Sequence, residues 1–299
     1  MKSLIKNSLA LSILFSAAIS FQSCEEKCPN VNLTNPPVTG DTISVPLDPS
    51  LSAQKRNVMV EDFTGVRCIN CPDGHVIAES IINSYSSGRV VVIAEHDTLG
   101  LLTGPYLFGH HDLRTKEAKD IIELLGGISS KPIGDIDRKL FTGETTIPVG
   151  SAKWVGYVAQ EMLDSVPKVQ MKMESQYDNA NRILTLGVTL QFATPISNNL
   201  NMSVMLTESG IIEPQLGGPN GGVTGIDTFY VHQHVLRDMI TPSIGMSVIG
   251  TKTPGHATKY VLPDYTIPAS WNADSVHIVT FVTDTDSLNV LQVIEKSLK

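Results

Sequence analysis

The sequence predicts an α/β domain over residues 55–165 followed by an all-β sandwich over residues 166–299. The chain of 299 residues is long enough for two domains of about 100–150 residues each, and its 41% of hydrophobic residues can fill their cores. Strand-like and helix-like segments alternate after Lys55. After Pro167 only short strand-like segments follow, which predicts an antiparallel arrangement in the second part.

The first 23 residues have the pattern of a secretory signal peptide. Two lysines precede an apolar stretch over residues 9–21, which is too short for a membrane-spanning helix of about 20 residues. The segment ends with Ser23 before Cys24, and this ending resembles the lipobox of bacterial lipoproteins. The resemblance implies cleavage before Cys24 and lipidation of that cysteine, which would anchor the protein in a membrane. The alternative is an ordinary signal peptide with an incidental cysteine.

Residues 24–54 are predicted to be a tether between the anchor and the folded part. Five prolines, among Asn, Thr and Ser, interrupt any helical or strand-like period. Cys28 lies in this segment, and no spacing identifies a partner for it. Removal of residues 1–23 leaves 20 basic and 30 acidic residues, so the net charge changes from −8 to −10. This acidic balance excludes a nucleic-acid-binding protein, which needs basic residues against the phosphates.

The individual elements follow from hydrophobic periodicity and from capping residues. In the first part, strands are predicted at 58–63, 89–95 and 133–137, and helices at 72–85, 113–125 and 151–163. Pro72 suits the first turn of a helix, and Ser151 suits an N-cap. In the second part, strands are predicted at 169–173, 183–190, 202–207, 228–236, 260–262, 276–283 and 290–294.

Cys68 and Cys71 are separated by two residues and lie where the first strand meets the first helix. At such a junction the helix amides favour a thiolate. The spacing lets the first cysteine attack a substrate disulfide and the second resolve the mixed disulfide. A structural disulfide and half of a zinc site are the alternatives, although zinc would need two distant histidines because the sequence has no second C-x-x-C motif.

The run VEDFTGVRCINC, which ends at Cys71, resembles the active-site strand and turn of thioredoxins. The resemblance assigns to Asp62, six residues before the first cysteine, the role of the buried acid that moves protons. It also implies that Pro132, which precedes a predicted strand, is the cis-proline that faces the disulfide. Arg67 stands where that family has tryptophan, and Ile-Asn replaces Gly-Pro between the cysteines, so the redox poise is expected to differ.

More narrowly, the sequence EDFTG, followed by C-x-N-C-P and then Gly74-His75, resembles the Omp28-related outer-membrane lipoproteins of Bacteroidetes. The stretch from Tyr230 to Arg237 matches the His-x-x-Leu/Val-Arg segment of that family. The resemblance covers most of the mature chain and implies a thioredoxin-like domain followed by an immunoglobulin-like sandwich. It also implies attachment to the outer membrane, on its periplasmic or its cell-surface face.

Several histidines permit more than one interpretation. His75, four residues after Cys71, could tune the thiolate or could be a solvated residue of the first helical turns. The pair His110-His111 could bind metal or line a groove, but a loop before a helix is the simpler interpretation. His232 and His234 are predicted to share one strand face, where cross-strand packing is favoured over a zinc pair.

The second part contains no other recognisable chemistry. The glycine-rich segment 215–222 has neither the lysine nor the strand–helix frame of a phosphate-binding loop. Asp227 and the turn over residues 284–286 do not form a regular calcium-binding loop.

These patterns lead to two hypotheses. In the first, the protein is a lipid-anchored thiol–disulfide exchange protein that acts on envelope proteins without a bound cofactor or metal. Cys68 is then the nucleophile, Cys71 the resolving thiol, Asp62 the proton carrier, and Pro132 the residue that holds the substrate backbone. In the second, the protein is a surface lipoprotein for binding or adhesion, its disulfide is structural, and its β-sandwich contacts partners.

Overall fold

A computed structural model describes residues 41–222 and 225–299, and β-strands predominate in this part of the chain. The first elements in chain order are β1 (Asp41–Val45), β2 (Val58–Thr64), α1 (Cys71–Ser84), β3 (Val90–His96), α2 (Lys116–Leu124), β4 (Ile133–Ile136), β5 (Val149–Gly150) and α3 (Trp154–Glu161). They are followed by β6 (Val169–Asp178), β7 (Ile183–Phe192), β8 (Leu200–Glu208), β9 (Ile211–Ile212), β10 (Gln215–Leu216), β11 (Ile226–Asp227) and β12 (Val231–His232). The last are β13 (Val235–Met239), β14 (Met246–Ser247), β15 (Ala257–Val261), β16 (Tyr265–Thr266), β17 (Val276–Asp284) and β18 (Val290–Ser297).

The three helices begin for different local reasons, and only α2 has a side-chain cap. Pro72 lies in the first turn of α1, where its missing N–H costs nothing. Helix α2 begins at Lys116, three residues later than the apolar period suggests, because the Thr115 side chain accepts a hydrogen bond from the Ala118 N–H. Helix α3 likewise begins at Trp154, after a short 3-10 turn over Ser151–Lys153.

The larger sheet has the strand order β18-β17-β8-β13-β3-β2-β4-β5, and β14 also pairs with β8. Strand β2 lies between β3, to which it is parallel, and β4, to which it is antiparallel. Strand β13 pairs in parallel with β3 at Val235 and Ala94, and in antiparallel with β8. The sheet therefore combines strands from both sides of residue 165, because β13 occupies an edge of β3 that would otherwise expose unpaired backbone groups.

The second sheet has the order β1-β15-β7-β16, with β6 on the other side of β7. It packs on β8 and β17 through an apolar layer that includes Leu186, Val204 and Ile278. The predicted strands of the second part are thus largely present as an antiparallel arrangement of two sheets. Strand β1 lies in the predicted tether, and its backbone pairs with β15 although its side chains are mostly exposed.

Two further apolar cores cover the two faces of the large sheet around β2 and β3. Helices α1 and α3 pack on one face, against Val60 and Val92. Helix α2 packs on the other face with Phe63 and Ile93, together with residues of β17 and β18. Because side chains alternate along a strand, Asp62 and Thr64 share the face of β2 that carries α1, whereas Glu61 and Phe63 point to the α2 side.

The described part of the chain is rich in β-strands, which agrees with the all-β character that the sequence predicts for the second part. Strands β2, β3 and β4 lie within two residues of their predicted ranges. In the described residues, helices are few and short, and none has the length and apolar character needed to cross a membrane.

Candidate functional site

Cys68 and Cys71 form a disulfide at the beginning of helix α1, with their Cα atoms 5.3 Å apart. Strand β2 ends at Thr64, and a tight turn joins it to Cys71, the first helical residue. Both cysteines are buried, since Cys68 is 3% exposed and Cys71 is fully covered. The disulfide therefore occupies the predicted strand–helix junction but has almost no surface in contact with solvent.

One side of the disulfide turn is covered by the loop that follows β3. The Arg67 N–H donates to the Leu102 carbonyl at 2.8 Å. The Arg67 guanidinium donates to the carbonyls of Gly104 and Pro105 at 2.6 and 2.7 Å, and it lies 4.3 Å from the centre of the Tyr106 ring. Arg67 thus holds the loop that follows β3 against the disulfide turn.

The other side is covered by β10, which lies in the glycine-rich segment. The side-chain amide of Gln215 donates to the Cys68 carbonyl at 3.0 Å and to the Gly65 carbonyl at 3.3 Å. The Leu216 N–H donates to the Val66 carbonyl at 2.8 Å. Gly217 has a φ of +79°, and a Cβ there would lie 2.1 Å from the Ile69 carbonyl oxygen. The glycine is needed because the two backbones approach so closely.

Asp62 is buried on the α1 face of β2, with an exposed fraction of 1%. Burial raises its pKa to about 7, and the positive charge of Lys131 opposes this shift only in part. Its Oδ1 has no hydrogen-bond partner among the described residues. A carboxyl group in this state gains and loses a proton near neutral pH, which is the property that a proton carrier needs.

Pro132 packs against the first turn of α1. The Lys131–Pro132 peptide bond is cis. Gly74, three residues after Cys71, faces the proline ring so closely that a Cβ on the glycine would lie 2.9 Å from the Cβ of Pro132. The ammonium group of Lys131 is paired with the buried carboxylate of Asp97. These contacts fix the segment before β4 against the helix that carries the disulfide.

His75 contacts three polar groups that come from different parts of the chain. Its Nε2 is 2.9 Å from Thr64 Oγ1 and 3.6 Å from Asp62 Oδ2. Its Nδ1 is 2.5 Å from Tyr230 Oη. Burial lowers the pKa of His75 to about 4, so the ring is neutral at pH 7. The solvated interpretation of His75 is therefore wrong, and the ring is a built part of the site.

Two further buried histidines, which the sequence did not identify as a site, lie beside His75. The ring of His232 is 5.7 Å from that of His96 and 6.3 Å from that of His75. His232 Nε2 is hydrogen-bonded to the Glu213 carbonyl at 3.2 Å, and burial lowers its pKa to about 3. Within the described residues, no three His, Cys, Asp or Glu side chains are placed to hold a metal ion.

The prediction that His232 and His234 share a strand face is wrong. The predicted strand 228–236 is broken into β12 and β13, and His234 lies between them with a φ of +55°. His232 consequently points into the interior, while His234 is partly exposed and lies 3.3 Å from Glu79 on helix α1. His110 and His111 lie in the loop before α2, where their backbone N–H groups donate to the carboxylate of Glu213.

A cavity of about 400 Å³ lies between helix α1 and the segment around β12. Asp62, His75 and Tyr230 contribute to one part of its lining. Ala78 and Val92 contribute apolar wall, and Glu79 and His234 also line it. Neither local periodicity nor a motif could have placed Tyr230 beside His75, because the two residues are 155 positions apart.

The remaining predicted site residue, Cys24, and also Cys28, lie outside the described residues.

Comparisons with known proteins identify the family. The family model described as outer membrane protein Omp28 matches residues 123–299, which is more than half of the chain. No curated protein matches the chain. The structure of HBP35 of Porphyromonas gingivalis is similar with a TM-score of 0.60 and 16% identity, over 83% of this chain and 76% of that chain.

A domain of the outer membrane lipoprotein Omp28 from Porphyromonas gingivalis has 16% identity and a TM-score of 0.29, over 44% of this chain and 89% of that chain. The similarity to HBP35 concerns the fold alone. The family match includes Pro132 and Tyr230 but begins after the disulfide. On the strength of that match, the chain belongs to the Omp28 family and is an outer membrane protein.

Proposed function

We propose that the protein is a thiol–disulfide exchange protein of the outer membrane with a thioredoxin-like arrangement around Cys68 and Cys71. The observation that carries the proposal is a disulfide at the N-terminus of helix α1, directly after a strand that carries a buried acid with a pKa of about 7. The order of β3, β2 and β4, with α1 and α3 on one face, supports the thioredoxin-like interpretation.

The proposed reaction exchanges one disulfide for another. In the reducing direction, the Cys68 thiolate attacks a sulfur of a substrate disulfide, and a mixed disulfide forms as the first substrate thiolate leaves. Cys71 then loses its proton to Asp62 and attacks the Cys68 sulfur, which releases the second substrate thiolate. Two electrons pass to the substrate, its two sulfurs take up two protons, and the Cys68–Cys71 disulfide forms. The oxidising direction is the reverse, with a substrate dithiol as reductant.

The substrates are proposed to be envelope or surface proteins, and Pro132 is proposed to hold their backbone beside the sulfurs. The contact between Pro132 and Gly74 supports this role, because it keeps the proline next to the helical turn that bears Cys71. Acylation of Cys24 is proposed as the membrane attachment. Mass spectrometry of the mature N-terminus tests it, since an unmodified Cys24 would refute the lipid anchor.

A second candidate function is binding or adhesion without catalysis, with the disulfide as a structural link. The burial of both cysteines under the Arg67 loop and β10 favours this alternative, because an exchanging disulfide must be reached by another sulfur. Under the first proposal, one of these covers has to move before a substrate can bind.

The reduction potential of the full-length protein separates the two functions. Exchange predicts a potential above about −300 mV and a Cys68 thiol with a lowered pKa, whereas a structural link predicts a lower potential and an ordinary thiol. The Cys71→Ser variant is expected to trap partners in mixed disulfides through Cys68. The double variant that also lacks Cys68 is the matched control, and equal capture by both variants would contradict exchange.

A further inference from the structure

We propose that His75 and Tyr230 form a proton relay that carries the proton of the almost fully buried Asp62 carboxyl outward along the cavity beside helix α1. The inference rests on the proposed function, because it supplies the route of the proton that Asp62 receives from Cys71. Water in the cavity accepts the proton at the outer end of the relay. His75 is a positioning and proton-transfer residue, because it passes on the proton that Asp62 has received.

The geometry of the imidazole ring suits a relay. Nε2 lies 3.6 Å from Asp62 Oδ2, so these two atoms must approach each other before they share a hydrogen bond, and Nδ1 is already 2.5 Å from Tyr230 Oη. Thr64 holds the inner side of the ring through its hydroxyl, 2.9 Å from Nε2. A neutral imidazole can accept a proton on one nitrogen and release one from the other, so a proton crosses the ring without leaving a charge on it.

The cavity gives the outer end of the relay access to water. Asp62 is 1% exposed, whereas the His75 side chain is 18% exposed and Tyr230 is half-buried. The cavity of about 400 Å³ that all three line is large enough for several water molecules, each of which takes roughly 30 Å³. A proton on Asp62 therefore has a polar path outward that passes the ring and the phenol.

The charged side chains beside this path have ionic partners of their own, so His75 and Tyr230 stay uncharged. Lys131 faces Asp62, but its ammonium is paired with Asp97. On the outer side, Glu79 of helix α1 lies 3.3 Å from His234. Burial raises the pKa of the Tyr230 phenol, and the carboxyl groups of Asp62, Asp227 and Glu79 add to this shift.

The buried rings of His96 on β3 and His232 on β12 complete the surroundings. Burial lowers the pKa of both rings, so neither carries a charge at pH 7.

In one outward transfer, the protonated Asp62 carboxyl closes from 3.6 Å to hydrogen-bond distance of Nε2, where it replaces the Thr64 hydroxyl, and gives its proton to that nitrogen. Nδ1 then gives a proton to Tyr230 Oη, and the phenolic proton passes to water. One proton reaches the cavity, and both His75 and Tyr230 end neutral. The transfer leaves the His75 imidazole in its other tautomer. The first tautomer is restored when a proton returns inward to re-form the Cys71 thiol.

The test measures the reduction of the Cys68–Cys71 disulfide by dithiothreitol in the full-length protein between pH 5 and 9, in H₂O and in D₂O. We expect His75→Gln and Tyr230→Phe to slow the reaction on the order of tenfold near pH 7 and to change its pH profile. His234→Gln is the matched control, because this histidine lines the same cavity outside the relay.

Chemical rescue separates a relay from a structural role. In His75→Ala, imidazole added to the buffer is expected to restore the rate, because the enlarged cavity admits the missing ring. Wild-type rates and pH profile in His75→Gln would overturn the relay, and so would a slow His75→Ala variant that imidazole does not rescue. Tyr230→Phe removes a single oxygen atom, which keeps the test valid where the histidine variants fold poorly.

A separate measurement distinguishes failure of the exchange function from failure of the relay. If the wild-type disulfide exchanges with no thiol, the exchange function fails, and the relay is then tested in the oxidised protein. Infrared measurement of the protonation rate of the Asp62 carboxyl after a pH jump, with Asp62→Asn as reference, is expected to show slower protonation in His75→Gln and the wild-type rate in His234→Gln. An unchanged rate in His75→Gln would overturn the relay itself.

Discussion

His75 and Tyr230 are 155 residues apart in sequence, and a hydrogen bond of 2.5 Å joins the imidazole Nδ1 to the phenol. One residue belongs to the helix that carries the disulfide, and the other precedes strand β12. This contact, together with the bonds from Gln215 to the disulfide turn, means that the C-terminal part of the chain completes the site. Changes in either part should therefore alter the chemistry of Cys68 and Cys71.

The Gly74→Ala substitution is expected to destabilise the protein by about 1–3 kcal/mol, because the new methyl group would lie 2.9 Å from the Cβ of Pro132. Gly156→Ala in helix α3 is the matched control. Nothing lies within 4 Å of a Cβ at that position, so a gain of about 0.5–1 kcal/mol is expected from helix propensity. Chemical denaturation measures both, and equal effects of the two variants would contradict the close packing of Pro132 on the helix.

The Gln215→Ala substitution is expected to accelerate reduction of the disulfide by a small thiol. The side chain donates hydrogen bonds to the carbonyls of Gly65 and Cys68, and the loss of about 1 kcal/mol of such bonding would make opening of the β10 cover about fivefold easier. Gln176→Ala, on strand β6, is the control. Stopped-flow reduction with dithiothreitol measures the rate, and an unchanged rate would show that β10 does not limit access.

The ionisation of Asp62 is expected to weaken the fold above neutral pH. A carboxyl whose pKa is raised from 3.8 to about 7 binds more protons in the folded than in the unfolded state between these values. The unfolding free energy therefore falls as the pH rises from about 4 through 7. Asp62→Asn removes this dependence and should be more stable than wild type at pH 8 by on the order of 4 kcal/mol. Urea titrations at pH 5 and 8 check this, and parallel pH profiles would argue against the raised pKa.

A second buried acid, Glu95, is expected to show the same sign of pH dependence. It lies on the α2 side of β3, where burial and the charge of Glu61 raise its pKa well above its usual range. Glu61 itself is ionised, because Arg138 donates two hydrogen bonds to it at 2.5 and 2.7 Å. Glu95→Gln should thus match wild type near pH 5 and exceed its stability at pH 8.

The control for this substitution is Glu123→Gln, which alters an exposed ion pair with Lys119 on helix α2. Its stability is expected to change by no more than about 0.5 kcal/mol at either pH. If Glu95→Gln were less stable than wild type at pH 8, the acid would have to be ionised in the folded protein.

The local part of the site follows from the sequence, and its distant part does not. The β-branched run before Thr64, the two cysteines and Pro72 determine a strand, a turn and a helix over neighbouring residues. Tyr230 and Gln215 reach the site through contacts across about 150 residues, and no periodicity encodes such pairs. For the same reason the sequence predicted one strand through His234, where the structure has a break.

By itself, then, the sequence determined the family resemblance, the outer-membrane location, the β-rich second part, and the strand–disulfide–helix unit that places Cys68 and Cys71. Only the tertiary structure decided that β13 joins the sheet of β2 and β3, that the disulfide is covered, and that His75 lies between Asp62 and Tyr230. The physical reason is that capping and periodicity act between near neighbours in the chain. Burial, which covers the disulfide and raises the pKa of Asp62, depends on everything that packs around it.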